Sequence, residues 1–202
     1  MKGLAFVGDI HGSIDALEGI LDVLASHNLR RIVFLGDYIN KGPDSRAVLE
    51  RLLELDPSCV SVLRGNHEDG MLKALQDHDL SSFLKMGGAA TVRSYIAGDA
   101  DADVAAQFLA AVPEVHLNFL RSMPLEFRSR GIVARHHPLR TLDLNYRVSA
   151  HRPVGSRPRV GPRSAHIDTG CGDDEGRLTA FLWPSRRFEQ VDMSGNRVSP
   201  RS

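Results

Sequence analysis

Leu4-Ala5-Phe6-Val7-Gly8-Asp9-Ile10-His11-Gly12 is the stretch whose reading decides the fold. A short apolar run stops at a glycine, and an aspartate and a histidine follow at once. Two later stretches repeat the arrangement: Ile32-Val33-Phe34-Leu35-Gly36-Asp37-Tyr38 and Val60-Ser61-Val62-Leu63-Arg64-Gly65-Asn66-His67-Glu68. Short apolar runs rich in β-branched residues and closed by glycine read as buried strands. Each is followed by helical spacing: Ile14, Leu17, Ile20, Leu21 and Leu24; then Val48, Leu49, Leu52 and Leu53 after Pro43-Asp44-Ser45; then Met71, Leu72 and Leu75. Alternating strands and helices predict a parallel sheet. Ligands of such sheets bind beyond the carboxyl ends of the strands, where all three polar blocks fall.

Outward from this core, Asp103–Val112 and Pro113–Arg121 are predicted helices. Leu125–Arg135, Tyr146–Ala150, Leu178–Leu182 and Phe188–Val191 are predicted strands of a second, mostly antiparallel sheet packed on the first. Residues 152–163, rich in Pro, Gly and Arg, read as loop. The expected class is α/β, a single domain over 1–193 with a flexible tail over 194–202. A hydrophobic content of 42% suffices for a sizeable core, and the formal net charge of zero argues against a general nucleic-acid or membrane binder. Two distant cysteines, Cys59 and Cys171, do not make a disulfide framework. No signal peptide or membrane span is read, so a cytoplasmic protein is expected.

The three blocks carry the chemistry of a dinuclear metal site. Asp9 and His11 lie two apart on one loop, Asp37 holds the matching position after the next strand and can bridge two ions, and Asn66 offers a neutral oxygen. His67 beside it is free to act on substrate. Taken singly, a Gly-Asp pair after a strand is an ordinary turn; three in register are not.

Asp-Ile-His-Gly, Gly-Asp-Tyr with Lys-Gly-Pro-Asp-Ser, and Arg-Gly-Asn-His-Glu together resemble the signature blocks of the calcineurin-like metallophosphoesterases. The likeness is closest to the phosphoprotein phosphatase branch with its bacterial and phage serine/threonine phosphatases. It is strong over residues 1–70, looser to about 130, and returns at Ile167-Asp168-Thr169-Gly170-Cys171 and Gly176-Arg177-Leu178-Thr179-Ala180. The resemblance implies a four-layer sandwich, two β-sheets flanked by helices, holding two divalent ions, Mn²⁺ ahead of Fe or Zn. It implies Asp9 and His11 on one ion, Asp37 bridging, and Asn66 on the other with two further histidines. His151, in Val148-Ser149-Ala150-His151-Arg152-Pro153, matches one of these; the other falls on His136, with His137 as the alternative.

The activity implied is phosphomonoester hydrolysis, phosphoserine or phosphothreonine in proteins first, by a hydroxide bridging the ions with His67 as general acid. Arg64 and Lys41 would hold phosphate. Phosphorylated proteins or small phosphoesters are the expected partners. A diadenosine tetraphosphate or other nucleotide phosphoesterase of the same architecture is the rival, and a non-catalytic binding module the reading of a different class. Two departures bear on the choice. Asn40-Lys41 replaces the family's Asp-Arg, so Asn40 can hydrogen-bond His67 but brings it no charge. The family's long segment between the second-half histidines is short here; Arg147 is the candidate remnant of its phosphate-gripping arginine. Residues 135–163 carry seven arginines, one aspartate and no lysine, which suggests a solvated loop, a basic rim that attracts phosphorylated substrates, or a rebuilt segment whose shortening widens the site or spoils the second metal position.

Overall fold

The structure, a computed structural model, describes residues 2–96, 98, 102–138 and 144–199. β1 (Gly3–Val7), α1 (Ile14–Ala25), β2 (Leu29–Phe34), α2 (Ser45–Glu54), β3 (Val60–Val62) and α3 (Asn66–Asp77) follow in the expected alternation. β1 pairs with β2 and β2 with β3, both parallel. A short α4 (Ser81–Phe83) then runs through a widened turn, Leu84–Gly88, into α5 (Ala89–Tyr95). α6 (Val104–Ala111) and α7 (Glu114–Ser122) fall where helical spacing places them, Asp103 capping the first by accepting from the Ala106 amide at 3.0 Å.

The second half holds β4 (Phe127–Ser129), β5 (Ile132–Ala134), β6 (Tyr146–Ser149), β7 (Arg159–Val160), β8 (Ser164–His166), β9 (Leu178–Trp183) and β10 (Arg187–Val191). Here the expected topology needs correction. β9 and β10 do not enter the second sheet. They join the first, in the order β10-β9-β1-β2-β3, with β9 antiparallel to β1. The reason lies in burial on both faces. Leu178, Ala180 and Leu182 face the helices while Phe181 and Trp183 face the other sheet, so β9 belongs beside β1 rather than in a one-sided sheet. The second sheet, ordered β4-β5-β6-β8-β7, is mixed rather than mostly antiparallel: β5, β6 and β8 run parallel, and only its edges are antiparallel. β7 lies inside 152–163, read as loop.

Strand alternation builds two cores. Ala5, Val7 and Phe34 pack under the helices, with Leu17, Ile20, Val48, Leu49 and Met71 among their partners. Leu4, Phe6, Val33, Leu35, Ile132, Val148, Ile167 and Phe181 fill the space between the sheets. The described helices belong to the first of these cores, and among the described residues no helix follows Ser122. The tail expected from Ser194 is tied down as far as Val198. The Val198 amide donates to the Gln190 carbonyl at 2.8 Å, and Arg197 pairs with the buried Glu189 at 2.7 Å. No helix among the described residues is long and apolar enough to cross a membrane.

Candidate metal centre

Parallel strands from both sheets deliver their carboxyl ends to one edge of the sandwich. Asp9 and His11 follow β1, Asp37, Asn40 and Lys41 follow β2, and Asn66 and His67 open α3 after β3. His136 follows β5, His151 follows β6, and Asp168 follows β8. Seven described non-glycine residues have positive φ, and five of them are here: His11, Asp37, Asn40, Lys41 and His151. Side chains rarely tolerate this region, and such residues gather at working sites.

The blocks are locked together by a carboxylate. Glu68, fully buried, accepts from the amides of Asp37 at 2.9 Å, Tyr38 at 2.8 Å and Gly65 at 2.9 Å. Gly65 is required for the fit: a Cβ there would stand 2.2 Å from Asp37 Oδ1.

Two donor sets share Asp37. On one side are Asp9, His11 and Asp37. The His11 Nδ1–H donates to the Ile39 carbonyl at 3.0 Å, which fixes Nε2 as a lone pair. That lone pair faces Asp9 Oδ2 at 3.9 Å. On the other side His136 Nε2 lies 2.9 Å from Asn66 Oδ1, 3.1 Å from His151 Nδ1 and 3.2 Å from Asp37 Oδ2. His151 Nδ1 lies 2.8 Å from Asn66 Oδ1. One imidazole nitrogen carries at most one proton, so it cannot satisfy three acceptors. A cation can: ligands at right angles about an ion with bonds of ~2.1 Å stand about 3.0 Å apart. The residues present fit two divalent ions.

Charge agrees with this. Asp9, Asp37, Glu68 and Asp168 are all buried. Burial, Asp37 and Asp168 push the Asp9 carboxyl well up. Burial and the nearby Asp37 charge lift Glu68 to about 7. For Asp37 burial acts upward, but hydrogen bonding and charge from His136 outweigh it and hold the carboxyl low. Burial and the Lys41 cation push His11 down to about 3, and burial with the neighbouring histidines takes His151 to about 4, so both offer lone pairs at neutral pH.

Of the residues named from sequence, Asp9, His11, Asp37, Asn66, His67, His136 and His151 converge. Of the adjacent histidines, His136 is the buried one, and its Nε2 meets Asn66 and Asp37. His137 is exposed, its ring tilted against that of His151 at 4.0 Å, and a ring nitrogen of it lies within 4.8 Å of donor nitrogens of His136 and His151. His67 Nε2 lies 3.7 Å from Asp37 Oδ2, and its Nδ1 lies 2.6 Å from Asn40 Nδ2. Lys41 reaches over the site with Nζ 3.8 Å from Asp173. Arg64 stands at the rim, its Nε 2.9 Å from Asp69. Arg147 is corrected: Tyr146, Val148 and Ala150 point into the inter-sheet core, so Arg147 projects from the opposite face of β6, where its charge acts on His166. Of the Arg-rich stretch, Arg140 and Asp143 lie outside the described residues. Sequence reasoning gave no role to Glu68, Asp168 or Thr91. Glu68 had a signal, as the acidic third residue of α3 behind its glycine cap. Asp168 stood in a matching stretch without a stated task, and Thr91 had no signal at all.

A family model for calcineurin-like phosphoesterases matches residues 3–158. The chain belongs to the calcineurin-like phosphoesterases. The chain is similar to the symmetrical bis(5'-nucleosyl)-tetraphosphatase of Acidovorax sp. (strain JS42), with 45% identity over 69 residues, 34% of this chain and 24% of that protein. It is similar to the zinc-dependent endopolyphosphatase of Saccharomyces cerevisiae (strain ATCC 204508 / S288c), with 36% identity over 87 residues, 42% of this chain and 26% of that one. The chain thus spans only about a quarter of the length of either relative. In fold it resembles a crystal structure described as a candidate diadenosine tetraphosphatase, with a TM-score of 0.70 and 20% identity over 95% of this chain and 93% of that one. The family implies divalent metal ions, for which the Asp and His groups at the strand ends are the available donors.

Proposed function

We propose that this chain is a metal-dependent hydrolase of small phosphoesters and phosphoanhydrides, with nucleotidyl polyphosphates ahead of phosphoproteins as substrates. The observation that carries it is the pair of donor sets sharing Asp37. Asp9 and His11 would hold one divalent ion and Asn66, His136 and His151 the other, with Asp37 within reach of both sets. When bound, the ions supply Lewis-acid chemistry: they neutralise phosphate oxygens and make water a nucleophile near neutral pH. Lys41 adds a cation over the same space, and His67 Nε2 faces it from the other side. Manganese is the first ion to test and zinc the second, since one relative is zinc-dependent by name.

Support for nucleotidyl substrates comes from relatives whose names describe tetraphosphate and polyphosphate cleavage. The phosphoprotein reading rests on the likeness of the blocks and departs from it at Asn40-Lys41. Hydrolysis of diadenosine tetraphosphate, p-nitrophenyl phosphate and a phosphothreonine peptide should be compared with Mn²⁺ or Zn²⁺ and then with EDTA. Turnover of the dinucleotide ahead of the peptide, abolished by EDTA, supports the proposal. Preference for the peptide returns the phosphoprotein reading. No turnover with any metal leaves a binding module on this fold.

A further inference from the structure

Parallel strands that send their carboxyl ends to the metal centre bring their amino ends to the opposite edge of the sandwich, and cations collect there. Lys2 precedes β1, Arg30 stands near the start of β2, Arg130 lies in the β4–β5 turn, Arg163 precedes β8 and Arg186 lies in the β9–β10 turn. All five are exposed. Among the described residues none of the five pairs with an acidic side chain, whereas Arg46, Arg51 and Arg64 pair with Glu50, Glu18 and Asp69.

Trp183 sits among these cations and lines two cavities. One, of about 450 Å³, is bounded also by Leu4, Pro184, Lys2, Arg30 and Arg130. The other, of about 270 Å³, is bounded by Tyr146, Arg163 and Arg186. Arg130 borders the first and Gly131 the second, so the two flank one turn. The indole ring stands 4.9 Å from that of Tyr146, and the Arg186 guanidinium lies 4.8 Å from the Tyr146 ring centre and 5.7 Å from that of Trp183.

Arg186 holds this place against its backbone preference. Its φ is 58°, a value that glycine adopts freely and that hairpin turns reserve for it. Outside the metal centre the other described non-glycine residue of this kind is His78, which ends α3 in an ordinary left-handed cap. A strained residue that keeps a charged side chain over two aromatic rings points to use. The use is not at the metals. Trp183 pairs with Leu4, and Asp9 is five residues further along the chain, roughly 16 Å at ~3.3 Å per residue.

An aromatic wall, apolar contacts from Leu4 and Pro184, and guanidinium groups without acidic partners suit one molecule that carries a flat ring and several negative charges. Aromatic faces stack bases, and arginine forks hold phosphates through paired bonds. The larger cavity is of a size for a single base and its sugar. Its bounded form, with the zero net charge of the chain, disfavours a long polynucleotide.

We propose that this edge is a second, non-catalytic binding site for a nucleoside polyphosphate, with the base against Trp183 and the phosphates on Arg30, Arg130, Arg163 and Arg186. The site goes beyond the hydrolase reading and stands without it.

Trp183 is the sole tryptophan of the chain, so indole fluorescence reports this edge and not the metal centre. The Mn²⁺-loaded chain is titrated with the β,γ-imido analogue of ATP, with inorganic tripolyphosphate and with a short oligothymidylate. The analogue should quench Trp183 saturably. Tripolyphosphate should bind at least about fivefold more weakly, since stacking one base is worth on the order of 5- to 100-fold. Arg186→Gly removes the guanidinium where glycine is unstrained, and Arg130→Gln removes one from an exposed turn. Each should weaken the analogue about tenfold, the worth of one charged hydrogen bond, while metal content stays parental. His136→Ala should leave the titration unchanged. Absence of saturable quenching overturns the proposal, as does parental affinity in both arginine variants. Quenching lost in His136→Ala would place the nucleotide at the metals and overturns it too. Tripolyphosphate binding as tightly as the analogue would leave an anion patch without a base site, and oligothymidylate binding more tightly would make the edge a single-strand surface; either result sinks the proposal. None of these outcomes touches hydrolysis at the metal centre, which the phosphoester assays read separately.

Discussion

Replacing His136 by alanine removes one donor from the set formed by Asp37 Oδ2, Asn66 Oδ1, His136 Nε2 and His151 Nδ1. A four-donor protein site holds a zinc ion by roughly 10–16 kcal/mol. One donor of four is then worth about 3 kcal/mol, a factor on the order of 10² in Kd. The loss falls on this ion, because His136 turns Nε2 toward Asp37, Asn66 and His151 and one imidazole nitrogen offers a single lone pair. Metal content after equilibration at limiting metal, measured by inductively coupled plasma mass spectrometry, should give two ions per chain for the parent and one for His136→Ala. His137→Ala should keep both, since Asp37, Asn66, His136 and His151 supply four donors without its exposed ring. Circular dichroism checks that each variant is folded. Two tightly held ions in His136→Ala, or a lost ion in His137→Ala alone, would refute the assignment of donors.

Three further outcomes follow from the same geometry. Burial pushes His136 down, but the hydrogen bond and charge of Asp37 outweigh it and hold its pKa above the ordinary histidine value. A proton then competes for the donor nitrogen, so affinity for the second ion should fall by up to about tenfold per pH unit below that raised value; a flat calorimetric profile across neutrality would contradict this. In metal-free protein the pH dependence of stability runs the opposite way: the His136–Asp37 contribution is present below the ordinary histidine pKa and lost as pH rises through the raised one. Gly65→Ala would place a Cβ 2.2 Å from Asp37 Oδ1 and 2.4 Å from its amide. Overpacking of this kind costs about 1–3 kcal/mol, and metal content should drop with it; a variant that melts and loads like the parent would show the approach is not tight. Phe6, fully buried between the sheets with its ring 6.0 Å from that of Phe127, should cost about 3–5 kcal/mol on truncation to alanine. Urea unfolding reads this directly, and a loss under about 1 kcal/mol would mean the sheets do not share a core there.

What could be read from sequence divides along contact distance. β1, β2 and β3 each carry their own evidence, an apolar run and the glycine that ends it, so strand and polar block come from one stretch. β9 shows the opposite. Its near-continuous apolar character was legible, but its partner was not: pairing Leu4 with Trp183 joins the two ends of the chain, and no local pattern announces it. The signal that was available is that a strand apolar on both faces does not suit a one-sided sheet. Site residues follow suit. Asp9, His11, Asp37, Asn66 and His67 were legible because each stands just beyond a strand end. His136 and His151 meet Asn66 across 70 and 85 residues, and only resemblance pointed to them. Arg147 could have been excluded by parity, since Tyr146 and Val148 alternate inward on the same strand. Thr91 could not have been found, because an isolated threonine reaches Asn40 across 51 residues and carries no pattern of its own.

Backbone conformation adds a stability term that sequence does not reveal. His11, Asp37, Asn40, Lys41 and His151 adopt φ of 47, 56, 73, 62 and 74°. A left-handed conformation costs a residue with a Cβ roughly 1–2 kcal/mol, so five such residues withhold about 5–10 kcal/mol, as much as many domains have in total. Glu68 and the glycine contacts hold this arrangement, but they do so beside like charges: burial, Asp37 and Asp168 raise the cost of ionising Asp9, and burial and Asp37 raise that of Asp168. Bound cations relieve the charge and reward the strained backbone together. Metal at a thousandfold excess over Kd contributes about 4 kcal/mol per site. At roughly 2–4 °C per kcal/mol for a chain of this size, Mn²⁺ should raise the melting temperature by about 15 °C or more over protein in EDTA. Calcium, which favours oxygen ligands, should do less, because the imidazoles of His11, His136 and His151 suit it poorly. Equal melting curves with Mn²⁺ and EDTA would mean that the strain is borne by packing alone, and that these side chains are held in place for something other than metal.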